Sequence, residues 1–179
     1  PQCSATRGLG FNINEYSYNI YHAIIGTKKA KDIILDTKIE NVDFIPSNLG
    51  MIGLEKMFYN SVKDKEFILK NIIKSIKNDY DYVIIDSPAV LGAITINIFV
   101  ASDYVIIPVQ CEYLAFDTIQ ESLETISLIQ KTFNHILKYK ILPTMFTNQN
   151  SLSKDVVLNL KNIFSKKLLR DADNNEFIF

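Results

Sequence analysis

The stretch YDYVIIDSPAVLGAITINIFVASDYVIIPVQCEYLAFD, residues 80–117, decides the fold. It opens on the apolar run Val83-Ile84-Ile85, which ends at a single acid, Asp86, followed by Ser87-Pro88. A buried parallel strand that delivers a carboxylate at its C-terminal edge is how open α/β sheets set an acid beside a phosphate. A short helical stretch and a second apolar strand at residues 104–109 follow, and this strand–helix–strand alternation is the signature of a parallel sheet. The plain alternative for Asp86 is turn chemistry, since Asp also suits the turn through Ser87-Pro88.

Working outward, residues 1–12 are punctuated by glycines and read as a loop. Residues 18–25 place Ile20, Tyr21, Ile24 and Ile25 at helical spacing, with Gly26 as the C-terminal stop. A short helix is expected over 31–35, a strand over 42–45 stopped by Pro46, and helices over 53–59 and 64–77. In the last of these Ile68, Leu69, Ile72, Ile73 and Ile76 form one stripe, with the lysines largely off it. Strands are expected at 82–85, 104–109 and 141–145, as neighbours in one sheet, and a buried helix at 95–101. Pro143 inside the last strand implies an edge position or a bulge. A helix over 118–133 turns Ile119, Leu123, Ile126 and Ile129 inward. Another begins at Ser153 as N-cap, with Asp155 near its positive end. The fold class is therefore α/β, a mostly parallel sheet flanked by helices.

The composition bounds the function classes. A chain of 179 residues with 47% hydrophobic content suits one domain of ordinary size. A net charge of −1 gives no overall pull toward nucleic acid or anionic lipid. Two cysteines, Cys3 and Cys111, are too few for a disulfide framework, and the apolar runs are too short for a membrane span. His22 and His135 each stand alone, without a partner at metal-ligand spacing. The expected location is the cytoplasm.

Five segments together resemble the ParA family of chromosome- and plasmid-partitioning ATPases, in the family's order and spacing. They are Pro1-Gln2-Cys3-Ser4-Ala5-Thr6-Arg7-Gly8-Leu9-Gly10, residues 41–48 (NVDFIPSN), residues 80–88 (YDYVIIDSP), Ile107-Pro108-Val109-Gln110-Cys111-Glu112-Tyr113, and Leu142-Pro143-Thr144-Met145 with Leu152-Ser153. The resemblance implies a P-loop NTPase-like fold, incomplete at both ends, with residues 1–170 as a partial ATPase domain and 171–179 as a polar tail. It implies ATP and Mg²⁺ as cofactors, with Asp86 as the catalytic acid holding the metal's water shell. Gln2 and Thr6 would face nucleotide and dimer partner, and Thr144 and Met145 would lie at the strand end where the base sits. Core packing is the alternative for Met145. The family's partners are a ParB-like protein and non-specific DNA, bound by an ATP-dependent homodimer, with no membrane. Cys3-Ser4 stands where the family has Gly-Asn, and Thr147 and Gln149 stand where it often has Asp and Arg.

No G-x-x-x-x-G-K-[ST] phosphate loop occurs in the 179 residues; the nearest imitation, Gly26-Thr27-Lys28-Lys29-Ala30-Lys31, lacks the second glycine. The expected function is a partitioning ATPase domain that is inactive as it stands. One alternative is a non-enzymatic remnant that contacts a partner protein. Another is a MinD-like relative acting at the division site, which would require a basic amphipathic C-terminal helix that Glu176-Phe177-Ile178-Phe179 does not supply.

Overall fold

The computed structural model describes residues 3–12, 15–59, 64–88, 91–171, 173, 175, 176 and 178. It forms two compact units, Pro1–Ala101 and Ser102–Phe179.

The first unit carries α1 (Ser4–Gly8), α2 (Ile20–Ile24), β1 (Leu35–Asp36), β2 (Asp43–Phe44), α3 (Met51–Tyr59), α4 (Ile68–Lys74) and α5 (Ala93–Ala101). Its core joins Met51, Leu54 and Phe58 of α3 to Leu69 of α4 and to Ile94 and Ile98 of α5. The α5 sequence AITINIFVA is apolar nearly all round, which is the pattern of a helix buried on most sides. Its one amide, Asn97, is 4% exposed and hydrogen-bonded at both its oxygen and its nitrogen. The Asn97 Oδ1 accepts from the Leu69 N–H at 3.2 Å, and Nδ2 donates to the Ala93 carbonyl at 3.1 Å. The Leu69 N–H lies in the first turn of α4, where no intrahelical acceptor exists, so the side chain of one helix completes the start of another. The strands β1 and β2 pair antiparallel, Leu35 opposite Phe44 and Asp36 opposite Asp43. Between them Asn41 takes a left-handed φ of 60°, and the Thr37 hydroxyl donates to the Val42 carbonyl at 2.6 Å.

Three expectations are corrected here. Residues 1–12 contain a helix, α1, although Gly8 and Gly10 read as loop punctuation. The helix expected over 64–77 divides into a 3₁₀ turn at Lys65–Phe67, α4, and a second 3₁₀ turn at Lys77–Asp79. Asp64 at φ 57° starts the first turn, and the Ser75 hydroxyl takes the Ile72 carbonyl at 2.6 Å at the end of α4. Residues 82–85 belong to no strand within their unit. Tyr82 is 86% and Ile84 94% exposed, and only Ile85 packs against the core. A strand exists by satisfying its N–H and C=O groups across a ladder, and this run lacks one among the described residues.

The second unit runs β3 (Tyr104–Gln110), α6 (Ala115–Phe133), β4 (Lys138–Thr144) and α7 (Ser151–Phe164). The strands are parallel over seven register pairs, from Tyr104 opposite Lys138 to Gln110 opposite Thr144. This is the expected α/β class, a parallel pair joined by a crossover helix. Ile107, Val109 and Ile141 are buried, as are Ile119, Ile126 and Ile129 of α6. Asn134, at φ 48°, ends α6 in the left-handed conformation of a C-terminal stop.

Backbone direction explains the strand prolines. The Lys138 N–H donates to Asp103 and the Cys111 N–H to Thr144, which sets even residues of β4 and odd residues of β3 toward the shared ladder. Ile141 therefore faces the other side, where its N–H donates to Lys167 at 2.8 Å and its carbonyl accepts from Leu169 at 2.9 Å. Pro143 faces that same side, just where the bridge between Ile141 and Leu168 has ended. The edge position its ring implied is what it occupies. At the chain end, Arg170 pairs antiparallel with Glu176, whose carboxylate meets Lys161 at 2.8 Å and Arg170 at 3.1 Å.

Candidate functional site

In the first unit, Asp86 follows the apolar run 83–85, with Ile85 anchored in the core just before it. Its carboxylate is exposed, and no hydrogen bond or ion pair reaches it among the described residues. Gln2 lies outside the described residues. Thr6 is 1% exposed on α1, and its Oγ1 accepts the Ser47 N–H at 3.3 Å, fixing α1 against the turn after β2. Cys3 precedes α1 at φ 59°, ψ 29°. That is the left-handed region glycine favours, so the backbone keeps a glycine-like conformation with a cysteine in it. Thr6 thus turns its hydroxyl inward.

In the second unit the carboxyl ends of β3 and β4 form one rim. Gln110 and Thr144 are its last register pair, and the Thr144 carbonyl accepts the Cys111 N–H at 3.0 Å. Cys111 is fully buried. Burial pushes its thiol up from the ordinary value, and its hydrogen bond with the Thr144 backbone offsets part of that. Such a thiol is a small apolar group rather than a nucleophile at neutral pH.

Thr144 is half-buried, whereas Met145 is 64% exposed at φ 55°. Core packing does not describe this methionine. A left-handed non-glycine residue costs about 1 kcal/mol and is held only where its surroundings fix the turn. The turn leads to α7, whose N-cap is Asn150: its Oδ1 accepts the Leu152 N–H at 3.0 Å. This corrects the reading of Ser153 as N-cap and moves Asp155 out of the first turn. Ser153 lies inside the helix, 3% exposed, and donates to the Cys111 carbonyl at 3.1 Å. One serine therefore ties the start of α7 to the end of β3. Two cap-forming residues three apart, Asn150 and Ser153, were the signal available, and sequence reasoning chose the second.

The histidines have structural partners. The Asn19 N–H donates to His22 Nδ1 at 3.3 Å within the cap of α2, and His135 Nε2 lies 2.7 Å from the Ser102 carbonyl. Among the described residues no group of three His, Cys, Asp or Glu could hold a metal by itself. Among the described residues no helix is long and apolar enough to cross a membrane.

Known proteins share this chain's sequence and architecture. The AAA domain family model matches residues 1–139. The sporulation initiation inhibitor protein Soj of Bacillus subtilis is 36% identical over 171 residues, 95% of this chain and 67% of Soj. The chromosome partitioning protein ParA of Myxococcus xanthus is 31% identical over 169 residues, 94% of this chain and 59% of that protein. Cobyrinic acid a,c-diamide synthase from Mycobacterium smegmatis, solved with bound ADP and magnesium, superposes at a TM-score of 0.85 with 30% identity, over 96% of this chain and 69% of that one. The chain thus spans under two thirds of the Myxococcus protein and about two thirds of Soj. With the family model covering most of its length and Soj matched over 95% of it, the chain belongs to the ParA family of AAA domain proteins.

Proposed function

We propose that this chain is part of a ParA-type ATPase that acts in segregation of chromosome or plasmid DNA in the cytoplasm. The observation that carries this reading is the 36% identity with Soj over 171 residues, a length that takes in both the Asp86 segment and the Thr144–Met145 strand end. The relatives named above favour partitioning over a division-site role. Asp86 fits the acid that holds the water shell of Mg²⁺, because its carboxylate is exposed and takes no described protein partner. Bound Mg²⁺ would neutralise charge on the nucleotide phosphates. Thr144 and Met145 would seat the base: the left-handed turn at Met145 holds that side chain out from the strand end, where ligands of open α/β sheets bind. Gln2 and Thr6 would contribute to the nucleotide-facing segment, Thr6 by fixing α1 rather than by touching ligand. A ParB-like protein, non-specific DNA and an ATP-bound second copy are the partners of this reading.

A phosphate loop supplies several charge-assisted hydrogen bonds worth roughly 1.5–3 kcal/mol each. Its motif is not among these residues, so this chain alone binds Mg-ATP at least about a thousandfold more weakly than a version carrying the loop. Isothermal titration of the two, each with Asp86→Ala beside it, tests the reading. Loss of Mg²⁺-dependent affinity on Asp86→Ala in the longer version is expected. Micromolar binding by the short chain, or indifference to Asp86→Ala, overturns it.

A further inference from the structure

A groove of about 470 Å³ lies in the first unit, between α4 and the segment of residues 28–31, and neither Thr6 nor Asp86 lines it. Ile68, Asn71, Ile72 and Ser75 give it one continuous face, because they recur at the i, i+3, i+4 and i+7 spacing of a helix. Ile68 and Ile72 are half-buried, and with the buried Ala23 and Ala30 they make an apolar floor. Lys28, Lys29 and Lys31 line the rest.

These lysines are unequally committed. Lys31 meets Asp79 at 2.9 Å in an exposed pair. The ion pairs among the described residues leave Lys28 and Lys29 out. Lys28 Nζ lies 3.9 Å from the centre of the Tyr18 ring, a contact that holds the ammonium without neutralising it. Asp32 is engaged at Oδ2 by the Lys29 backbone N–H at 3.3 Å. Asn71, exposed on α4, makes no side-chain hydrogen bond with a described residue.

Two cations without a carboxylate, set round an apolar floor, are complementary to a ligand that carries both acids and apolar side chains. A nucleic acid backbone would satisfy the ammonium groups but leave Ile68 and Ile72 uncovered, and Asp32 and Asp79 beside the lysines repel phosphate. We infer that this groove docks an acidic amphipathic segment of another protein, its apolar side chains over Ile68 and Ile72 and its carboxylates on Lys28 and Lys29. The Asn71 amide, donor and acceptor both, is free to take a backbone group of that segment. From Ile68 to Ile72 the helix rises about 6 Å, so two apolar residues one turn apart in the docked segment match the floor. Exposed ion pairs contribute little each, so the complex is weak and reversible.

The test is an NMR titration of the full chain labelled with nitrogen-15, which reports weak binding residue by residue. The probe is a short glutamate-rich peptide with two leucines four positions apart. The Ala23, Ala30 and Ile72 amide resonances are expected to shift and to saturate below about 1 mM peptide. Lys28→Glu together with Lys29→Glu weakens binding about tenfold, and unchanged resonances elsewhere check the fold of that variant. Serine in place of both leucines abolishes binding with the protein untouched. The peptide with lysine for glutamate is expected to prefer the double variant to the wild type. No shift at these residues up to about 1 mM, equal binding of the serine peptide, or a short DNA duplex that displaces the acidic peptide from them overturns the inference.

Discussion

Residues 102–179 and residues 80–88 begin from the same kind of sequence, β-branched apolar runs next to polar turns, and end differently. The first set closes a strand–helix–strand element in which each strand supplies the other's hydrogen bonds over seven register pairs. The second leaves Tyr82, Val83 and Ile84 exposed and unpaired in any strand among the described residues, with only Ile85 reaching a core. Local composition favours a strand in both places. A ladder partner, which composition does not encode, decides whether that backbone becomes a strand.

The largest expected difference between the two is in amide exchange. The Ile141 and Val109 amides should exchange at least about a thousandfold more slowly than those of Val83 and Ile84, since they open only with substantial unfolding. Mass-spectrometric hydrogen exchange reads this directly, and equal protection would erase the contrast. Next comes side-chain truncation. Ile141→Ala, at a position with no exposure, should cost about 2–5 kcal/mol in urea unfolding. Ile84→Ala, at 94% exposure, should stay within about 0.5 kcal/mol.

A smaller effect sharpens the helical side of the comparison. Asn97→Ala leaves the Leu69 N–H without its acceptor and should cost about 1–3 kcal/mol, with faster exchange at Leu69. The smallest lies at Tyr80, whose hydroxyl donates to Asp43 Oδ2 at 2.6 Å. That bond, with desolvation and the charges of Asp43, Asp79 and Asp36, raises the phenol from 10.0 to about 12. A raised folded value means the contribution is present in full below about pH 10 and lost as pH climbs toward 12. Solvent screens this exposed pair, so Tyr80→Phe should cost a few tenths of a kcal/mol at neutral pH and nothing at the alkaline end. Urea midpoints at the two pH values, with tyrosinate absorbance, check both.

Much of the second unit was legible in the sequence. The strand at 104–109 and the long helix after it carry uninterrupted apolar patterns with polar boundaries, and Pro143 pointed to an edge position or a bulge. The helix of residues 93–101 was legible for the same reason. What escaped reading was pairing and choice among similar residues. Nothing in VIID says whether a neighbour is present. Asn150 and Ser153 both suit a helix start, and only the placement of the Cys111 carbonyl shows that Ser153 is used elsewhere. For the candidate site, Asp86 at the end of an apolar run was readable. The inward turn of Thr6 and the left-handed backbone at Met145 were not, since neither residue type favours that state.

The ring nitrogen of Pro108 faces away from β4, as the alternation along β3 requires. Tyr104, Ile106 and Gln110 can offer N–H donors along that outer edge, but the position between Ile106 and Gln110 cannot. A strand adding there would meet a missing rung in the middle of its run. Proline on an exposed edge is a common barrier to indiscriminate growth of a sheet into fibrils. Pro143, which is buried, sits on the opposite side of the pair, where Ile141 already bonds to residues 167 and 169. The Pro108 margin is thereby guarded against unlimited stacking of strands, while the chain's own backbone takes up part of the other side.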